Sequence, residues 1–146
     1  MTTIAWDGKT LAADRRQTLG SNEPQTTTKI AAYGDYFMGA SGGTAAAKAM
    51  LDWAIRGCRA GEFPTGQSGD DWARTVVINT KTRDVHIYER VSIPIQISTR
   101  FYATGSGCEY ALGAMAAGAD ARQAVLIAAR FDMYTGDGVD SFSLED

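Results

Sequence analysis

The first fourteen residues, MTTIAWDGKTLAAD, decide how the chain begins to fold. Apolar and β-branched residues flank the Asp-Gly pair at positions 7 and 8, and this pattern predicts a β-hairpin. A two-residue turn would place Thr2 opposite Ala13, whereas a loop of residues 7–10 would place Thr3 opposite Asp14. The sequence leaves both registers open, and either one brings a carboxylate back to the start of the chain.

The length and composition indicate one domain. The chain has 146 residues, a formal net charge of −3 and two cysteines, Cys58 and Cys108, without metal-type spacing. We therefore expect residues 1–146 to form a single domain with free thiols in a reducing, cytoplasmic setting. The apolar runs are too short for a membrane span, and the polar first residues are unlike a signal peptide. Without basic runs, a nucleic-acid surface is not expected.

The residues after the first hairpin predict β and helical segments in turn. KIAAYGDYFMGA, residues 29–40, is typical of a second hairpin, and RTVVINTKTRDVHIYER, residues 74–90, is typical of a third. Between them, AAAKAMLDWAIRGC, residues 45–58, has the apolar spacing of a helix that is buried on one face. Residues 61–71 have the composition of a loop.

The last third of the chain predicts two helices between strands. Residues 93–97 contain a proline and predict an edge strand, and RFYATGSG predicts a strand that runs into a glycine-framed Ser106. CEYALGAMAA predicts a helix that ends at Gly118, and Asp120 with Gln123 predicts a capping box for the next helix. GVDSFSL alternates as a last strand. This order predicts an α+β fold in which helices cover antiparallel sheet.

Several polar residues are candidates for chemistry, although each also has a structural explanation. His86 stands alone in a strand, so we expect a surface or packing role, and a zinc site is not expected. The glycines of GASGGT lack the lysine-serine ending of a phosphate loop. Asp14 could pair with a neighbouring arginine, Lys29 could protect a strand edge, and Ser106 could cap a helix. Asp132 lies near a helix end, where its charge opposes the helix dipole and requires a partner.

In combination, these residues resemble the proteasome β-type and HslV-like threonine peptidases, which are N-terminal-nucleophile hydrolases. Thr2-Thr3-Ile4 is similar to the mature start of that family, with Met1 as the residue to be removed. LAADRRQT, TTKIAAY, MGASGGTAAA, YATGSGCEYALGAMAAG and AARFDMYTGDGVDSFSL resemble the other family motifs, nearly end to end and in order. The catalytic positions that this resemblance implies are Thr2, Asp14, Lys29, Gly39, Ser106, Asp132 and Thr135.

The chain departs from the family pattern at three places. Its first hairpin is shorter by a few residues, and the second helix of the first helical pair is reduced to the loop of residues 61–71. Thr135 stands where serine is commoner. The implied catalytic positions survive these departures, whereas the contacts by which the family forms rings are affected.

The resemblance implies a nucleophile and a base on the same residue. The hydroxyl of Thr2 would attack, and the α-amino group that loss of Met1 exposes would accept its proton. Lys29 would favour the deprotonated hydroxyl, with Asp14 as its counter-charge.

The resemblance also implies supporting groups. Gly39 would donate its backbone N–H to the oxyanion, because a residue without Cβ permits close backbone approach. A network of Ser106, Asp132 and Thr135 would orient the terminal amine. The first substrate pocket would be lined by Gln17, Thr27, Phe37 and Ser41.

For fold and partners, the family implies a four-layer α-β-β-α sandwich of two antiparallel sheets between helix layers. It implies peptide or unfolded-protein substrates, a homo-oligomeric ring and an ATP-dependent unfoldase, without a cofactor or metal. Two alternatives remain open: a ring-forming protein that keeps the fold but has no activity, and an amidase of the same superfamily acting on a small molecule.

Overall fold

A computed structural model describes residues 2–145 as two compact units. The first unit combines the chain up to Thr28 with the chain from Thr99 onward, and the second is Lys29–Ser98. Each unit has its own antiparallel sheet and helices, so the predicted α+β class is confirmed. The expected single domain stays a prediction, and the expected removal of Met1 concerns a residue outside the described range. Within residues 2–145, no helix is both long and apolar enough to span a bilayer.

The order of elements agrees with the sequence pattern except for one additional strand pair, β3–β4, which was not predicted. In the described chain the elements are β1 (Ile4–Trp6), β2 (Thr10–Asp14), β3 (Arg16–Gln17), β4 (Gln25–Thr26), β5 (Ile30–Tyr33), β6 (Tyr36–Gly42), α1 (Thr44–Ile55), a 3₁₀ turn (Ala60–Glu62), β7 (Ala73–Asn79), β8 (Val85–Tyr88), β9 (Ile95–Ile97), β10 (Tyr102–Thr104), α2 (Cys108–Ala116), α3 (Ala121–Phe131) and β11 (Val139–Ser143).

The first hairpin adopts the register of the longer loop. Ile4 pairs with Ala13, and the N–H of Asp14 donates to the carbonyl of Thr3 at 3.2 Å. The two-residue turn is therefore wrong, and the loop of residues 7–10 is confirmed. Thr3, rather than Thr2, lies opposite Asp14.

The side chain of Asp7 explains why the longer loop is preferred. Its Oδ1 accepts the N–H groups of Lys9 and Thr10 at 2.9 and 2.8 Å, which closes the loop. Its Oδ2 accepts the N–H of Ala121 at 2.8 Å, at the first turn of α3. Asp120 forms the predicted capping box at the same helix end. One carboxylate therefore joins the hairpin turn to the start of α3.

The sheet of the first unit has the strand order β10-β1-β2-β11, and α2 and α3 pack on one of its faces. Small residues at this contact let the helix backbones approach the strands closely. The buried cluster consists of Ala5, Ala12, Ala111, Met115, Ala121, Ala124 and Val125. Because side chains alternate along a strand, Thr3 lies on the same face of the sheet as Ala5, toward these helices.

The sheet of the second unit has the strand order β5-β6-β7-β8-β9, with α1 packed on one face. Trp53 of α1 makes edge-on ring contacts with Phe63 and Tyr88, each with a centroid distance of 4.9 Å. Met38 and Ala40 of β6 lie in the clusters beneath α1. The alternate residues of β6 therefore lie on the opposite face.

Thr75 of β7 provides a test of this packing. It is 0% exposed, lies opposite Ala40 and Tyr88, and its hydroxyl has no hydrogen-bond partner within the described chain. We expect Thr75→Val to raise the free energy of unfolding by about 1 kcal/mol, because it removes an unsatisfied buried polar group at constant shape. Thr75→Ser keeps the hydroxyl and loses a methyl group, so it should be destabilising. Urea unfolding of the three proteins measures both effects, and a less stable Thr75→Val protein would contradict the packing.

Candidate active site

The start of the chain rests against the turn between β10 and α2. Thr2 is 4% exposed, and its carbonyl oxygen accepts the N–H of Gly107 at 3.4 Å. The hydroxyl of Ser106 lies 3.5 Å from the same oxygen. Ser106 was predicted to lie close to Thr2, and the first unit brings the two residues together.

The glycines on either side of Ser106 make this approach sterically feasible. Gly105 has φ = +98°, and a Cβ at this position would overlap the carbonyl oxygen of Thr2. A Cβ on Gly107 would overlap the hydroxyl of Thr3. Both positions therefore require glycine. Gly105 needs it for its positive φ and for the contact with Thr2, and Gly107 needs it for the contact with Thr3.

Asp14 joins three segments of backbone. It is 0% exposed, and its Oδ1 accepts the N–H of Thr3 at 3.0 Å. Its Oδ2 accepts the N–H groups of Gly136 and Arg16 at 3.1 and 3.2 Å. A buried carboxylate is stabilised by such donors. Asp14 therefore holds the chain start, the end of β2 and the loop after α3 together.

Asp132 is the centre of a hydroxyl network. It is 8% exposed, and its Oδ2 accepts hydrogen bonds from Ser106 and Thr135, both at 2.6 Å. Its Oδ1 accepts the N–H of Tyr134 at 3.2 Å. The hydroxyl of Thr135 also lies 2.8 Å from the hydroxyl of Thr3. The three residues predicted to form a network are thus brought together, and Thr3 extends it.

Counting the hydroxyl protons fixes the direction of each bond. A threonine or serine hydroxyl has one proton, and a carboxylate accepts only. Thr135 donates its proton to Asp132, so in the Thr3–Thr135 bond Thr3 is the donor. Ser106 likewise donates to Asp132 in its shorter bond, which leaves its lone pairs to accept from a group near Thr2.

These bonds lower the pKa of Asp132. Burial by itself would raise the pKa, since it disfavours the charged form. The hydrogen bonds from Ser106, Thr135 and the N–H of Tyr134 act in the opposite direction, and the net effect is a pKa below the usual value. Asp132 is therefore ionised at neutral pH and acts as an acceptor.

Arg16 holds the loop that carries Thr135. Its Nε and Nη2 donate to the two carboxylate oxygens of Asp137 at 2.9 and 3.2 Å, and its Nη1 donates to the carbonyl of Met133 at 2.6 Å. The hydrogen bond to Asp137 raises the pKa of Arg16. Asp137 has φ = +64°, so the loop contains a left-handed residue that this pairing stabilises.

The second unit contains the remaining predicted catalytic residues. Lys29 is 7% exposed, and its carbonyl accepts the N–H of Ala40 at 3.2 Å. Gly39 pairs with Ile30 on one side and Val76 on the other. Lys29 and Gly39 thus lie on neighbouring chain segments within this unit.

The predicted substrate-pocket residues are divided between the units. Gln17 accepts a hydrogen bond from Gln25 at 2.8 Å, and Thr27 donates its N–H to Arg15 at 2.8 Å, both within the β3–β4 region. Phe37 and Ser41 alternate with the residues beneath α1 and so share a face of β6 with Gly39. Their roles stay predictions. Residues 2–145 contain no group of three or more His, Cys, Asp or Glu placed to hold a metal ion.

Sequence reasoning missed several residues of this site, among them Thr3, Arg16, Gly105, Gly107 and Gly136. The alternation of Thr3 with Ala5 is a signal that could have placed its side chain toward the helices. The glycine frame around Ser106 was visible, but its contacts with the chain start depend on tertiary structure. Nothing in the sequence marks the N–H of Gly136 as a donor to Asp14.

The whole structure is similar to solved structures of BPH, a bacterial proteasome homologue, from Thiobacillus denitrificans. The complex of BPH with epoxomicin has a TM-score of 0.69 and 23% sequence identity, over 99% of this chain and 99% of that chain. BPH alone has a TM-score of 0.66 and 23% identity, over 99% of this chain and 98% of that chain. No protein-family model and no curated protein matches the chain. At this identity the likeness shows the fold, which is proteasome-like.

The contact between Gly105 and Thr2 can be tested with a matched pair of variants. Gly105 and Gly118 both have positive φ, +98° and +112°, but a Cβ on Gly118 would meet nothing within 4 Å. We expect Gly118→Ala to show only the conformational penalty of about 1 kcal/mol. Gly105→Ala must also displace the carbonyl of Thr2, so it should be less stable by a further 1 kcal/mol or more. Equal urea midpoints for the two variants would contradict the contact.

The lowered pKa of Asp132 predicts a pH-dependent stability. A carboxyl group with a lower pKa in the folded state stabilises the protein above its unfolded pKa of about 3.9. This contribution is lost as the pH falls through the folded value. In Asp132→Asn, unfolding free energies measured by urea should therefore decline less steeply below about pH 4.5 than in the parent protein. Asp70→Asn, which removes a carboxyl group at an exposed position, is measured in the same series as the control for the loss of one acidic side chain. A parent-like slope in Asp132→Asn would exclude this residue as a source of the acid dependence.

Proposed function

We propose that this chain is a threonine-type endopeptidase whose nucleophile is the hydroxyl of Thr2, after removal of Met1. The observation that carries the proposal is the network beside the chain start. Ser106 lies 3.5 Å from the carbonyl oxygen of Thr2 and has its proton directed to Asp132. With its proton held by Asp132, the Ser106 oxygen can accept a hydrogen bond from the terminal amine of Thr2 and orient that amine.

In the proposed reaction, the amine of Thr2 takes the proton of the Thr2 hydroxyl as the oxygen attacks a peptide carbonyl carbon. The tetrahedral intermediate collapses, the C–N bond breaks, and the departing amine takes the proton. Water then attacks the resulting ester on Thr2, releases the acid and restores the hydroxyl. Ser106 would keep a lone pair of the amine directed at the hydroxyl during both steps.

Lys29 and Gly39 would supply electrostatic stabilisation. A buried ammonium such as that of Lys29 favours deprotonation of a nearby hydroxyl. Gly39 would donate an N–H to the developing oxyanion, where a side chain would hinder approach. Asp14 would hold the chain start in register, because it already binds the N–H of Thr3.

We propose peptides or unfolded proteins as substrates, a homo-oligomeric ring as the working form and an ATP-dependent unfoldase as a partner, in a cytoplasmic setting. The proteasome-like fold, which is similar to that of BPH from Thiobacillus denitrificans, supports the substrate class and the ring, whereas the unfoldase and the cytoplasmic setting rest on the sequence alone. Gln17, Thr27, Phe37 and Ser41 would line the first substrate pocket.

Epoxomicin, which binds BPH, gives a sharp test for this chain. An epoxyketone requires two nucleophiles, because a hydroxyl adds to the ketone and an amine opens the epoxide. We expect the processed protein to gain the full mass of the inhibitor and to cleave a fluorogenic peptide. Thr2→Ala lacks the hydroxyl, and a chain with lysine inserted between Met1 and Thr2 lacks the terminal amine of Thr2. Both should lose turnover by at least about 1,000-fold and remain unmodified.

Thr10→Ala is the matched control, because within residues 2–145 the hydroxyl of Thr10 forms its hydrogen bond with the hydroxyl of Ser143, at an exposed site. Its activity should equal that of the parent. Intact mass establishes the state of the chain start in each sample. If the processed parent protein neither turns over nor takes up the inhibitor, the peptidase assignment fails and the inactive ring-forming protein replaces it.

A further inference from the structure

We propose that Thr3 is a positioning residue, whose buried hydroxyl begins a one-directional chain of hydrogen bonds that ends on Asp132 and sets how Ser106 meets the amine of Thr2. The catalytic part of this inference rests on the proposed function. Thr3 does not touch the reacting atoms. Its backbone is bonded to Thr2, the proposed nucleophile, and its side chain contacts the supporting network.

The contacts of Thr3 connect the chain start to this network from two directions. Its N–H donates to Asp14 at 3.0 Å, and its carbonyl accepts the N–H of Asp14 at 3.2 Å. Its hydroxyl lies 2.8 Å from that of Thr135. Both the backbone and the side chain of Thr3 are therefore fixed, and Thr2 is attached to it directly. A shift of Thr3 would move the nucleophile relative to Ser106.

The direction of the chain gives the hydroxyl of Thr3 a specific effect. Since Thr135 donates to Asp132, Thr3 must donate to Thr135, and this donation makes the Thr135 proton a stronger donor. Ser106 and Thr135 donate to the same oxygen of Asp132. A change in the hydrogen bond from Thr135 to Asp132 is therefore transmitted to the hydrogen bond from Ser106 to Asp132.

The site is built for this hydroxyl. Thr3 is 0% exposed, and a Cβ on Gly107 would overlap its hydroxyl oxygen, so the absence of a side chain at Gly107 makes room for this hydroxyl. Thr135, its acceptor, is 1% exposed. A bond between two fully buried hydroxyls has no competition from solvent.

Other charged groups near Asp132 are unchanged by substitution of Thr3. Arg16 binds the carbonyl of Met133 and the carboxylate of Asp137 in the loop after α3, and its charge interacts with Asp132. Asp14 binds the N–H of Gly136 in that loop. The amine of Thr2 is a further nearby charge in the proposed processed chain. Because these charged groups are the same in all variants, a difference in the pKa of Asp132 between variants is due to the substitution of Thr3.

The test compares Thr3→Val, which removes the hydroxyl at constant shape, with Thr3→Ser, which keeps it. In carbon-detected NMR titrations, with Asp132 assigned from Asp132→Asn, Thr3→Val should raise the pKa of Asp132 by about 0.5, because its donor Thr135 is weakened. Thr3→Ser should retain the parent pKa. In turnover assays, Thr3→Val should lower kcat about tenfold with KM within about twofold, and Thr3→Ser should remain within about threefold of the parent.

Urea unfolding separates positioning from stability. The inference is overturned if Thr3→Val has the parent pKa of Asp132 and the parent kcat, or if its loss of activity merely follows the fraction of unfolded protein. The NMR comparison does not depend on activity. If the parent protein is inactive toward peptide and epoxomicin, the proposed function and the catalytic role of Thr3 fail together, and a raised pKa in Thr3→Val would then show that the hydrogen-bond chain itself is real.

Discussion

The first unit depends on one buried carboxylate that accepts backbone N–H groups from three places in the chain. Asp14 binds Thr3 before β1, Arg16 after β2 and Gly136 after α3. A charge at 0% exposure is tolerated only where such donors replace water. The consequence is geometric: the first residues of the chain, a region that is usually loose, are held against the loop that contains Thr135.

The limited number of hydroxyl protons fixes the direction of the hydrogen bonds around Asp132. Thr3, Thr135 and Ser106 have one proton each, and all three are directed toward the single acceptor Asp132, two directly and one through Thr135. The low pKa of Asp132 and the direction of the network have the same origin, because a carboxylate surrounded by donors stays ionised and cannot donate in return. The proposed chemistry at Thr2 requires such a fixed acceptor, whereas a network of freely rotating hydroxyls would not orient an amine.

Local signals predicted most of the fold, and long-range contacts account for what was missed. The hairpin around Asp7 and Gly8, the helical spacing of residues 45–58 and the capping box of Asp120 depend on residues close together in the sequence, and the structure contains the hairpin with its longer loop, a helix over Thr44–Ile55 and the capping box. The β3–β4 pair has no apolar alternation and is held by polar contacts such as that between Gln25 and Gln17. Family resemblance suggested the network of Asp132 but not Thr3, which has the same appearance as any β-branched strand residue. Its role depends on a hydrogen bond to Thr135, a residue more than 100 positions away in the sequence.

Because Asp7 binds both the hairpin loop and the start of α3, the length of α3 sets the position of the residue at its other end. One end of this helix is attached to the hairpin turn through Ala121, and its other end delivers Asp132 to the network at Thr3. The 11 residues of α3 span about 16 Å, and the extended chain from Thr3 to Asp7, which contains β1, covers about 13 Å. Insertion of one residue into α3 would advance Asp132 by about 1.5 Å and rotate it by about 100°. The exposed connection between β3 and β4 contains neither of these contacts, whereas a change in the length of α3 changes the position of Asp132 relative to Thr3.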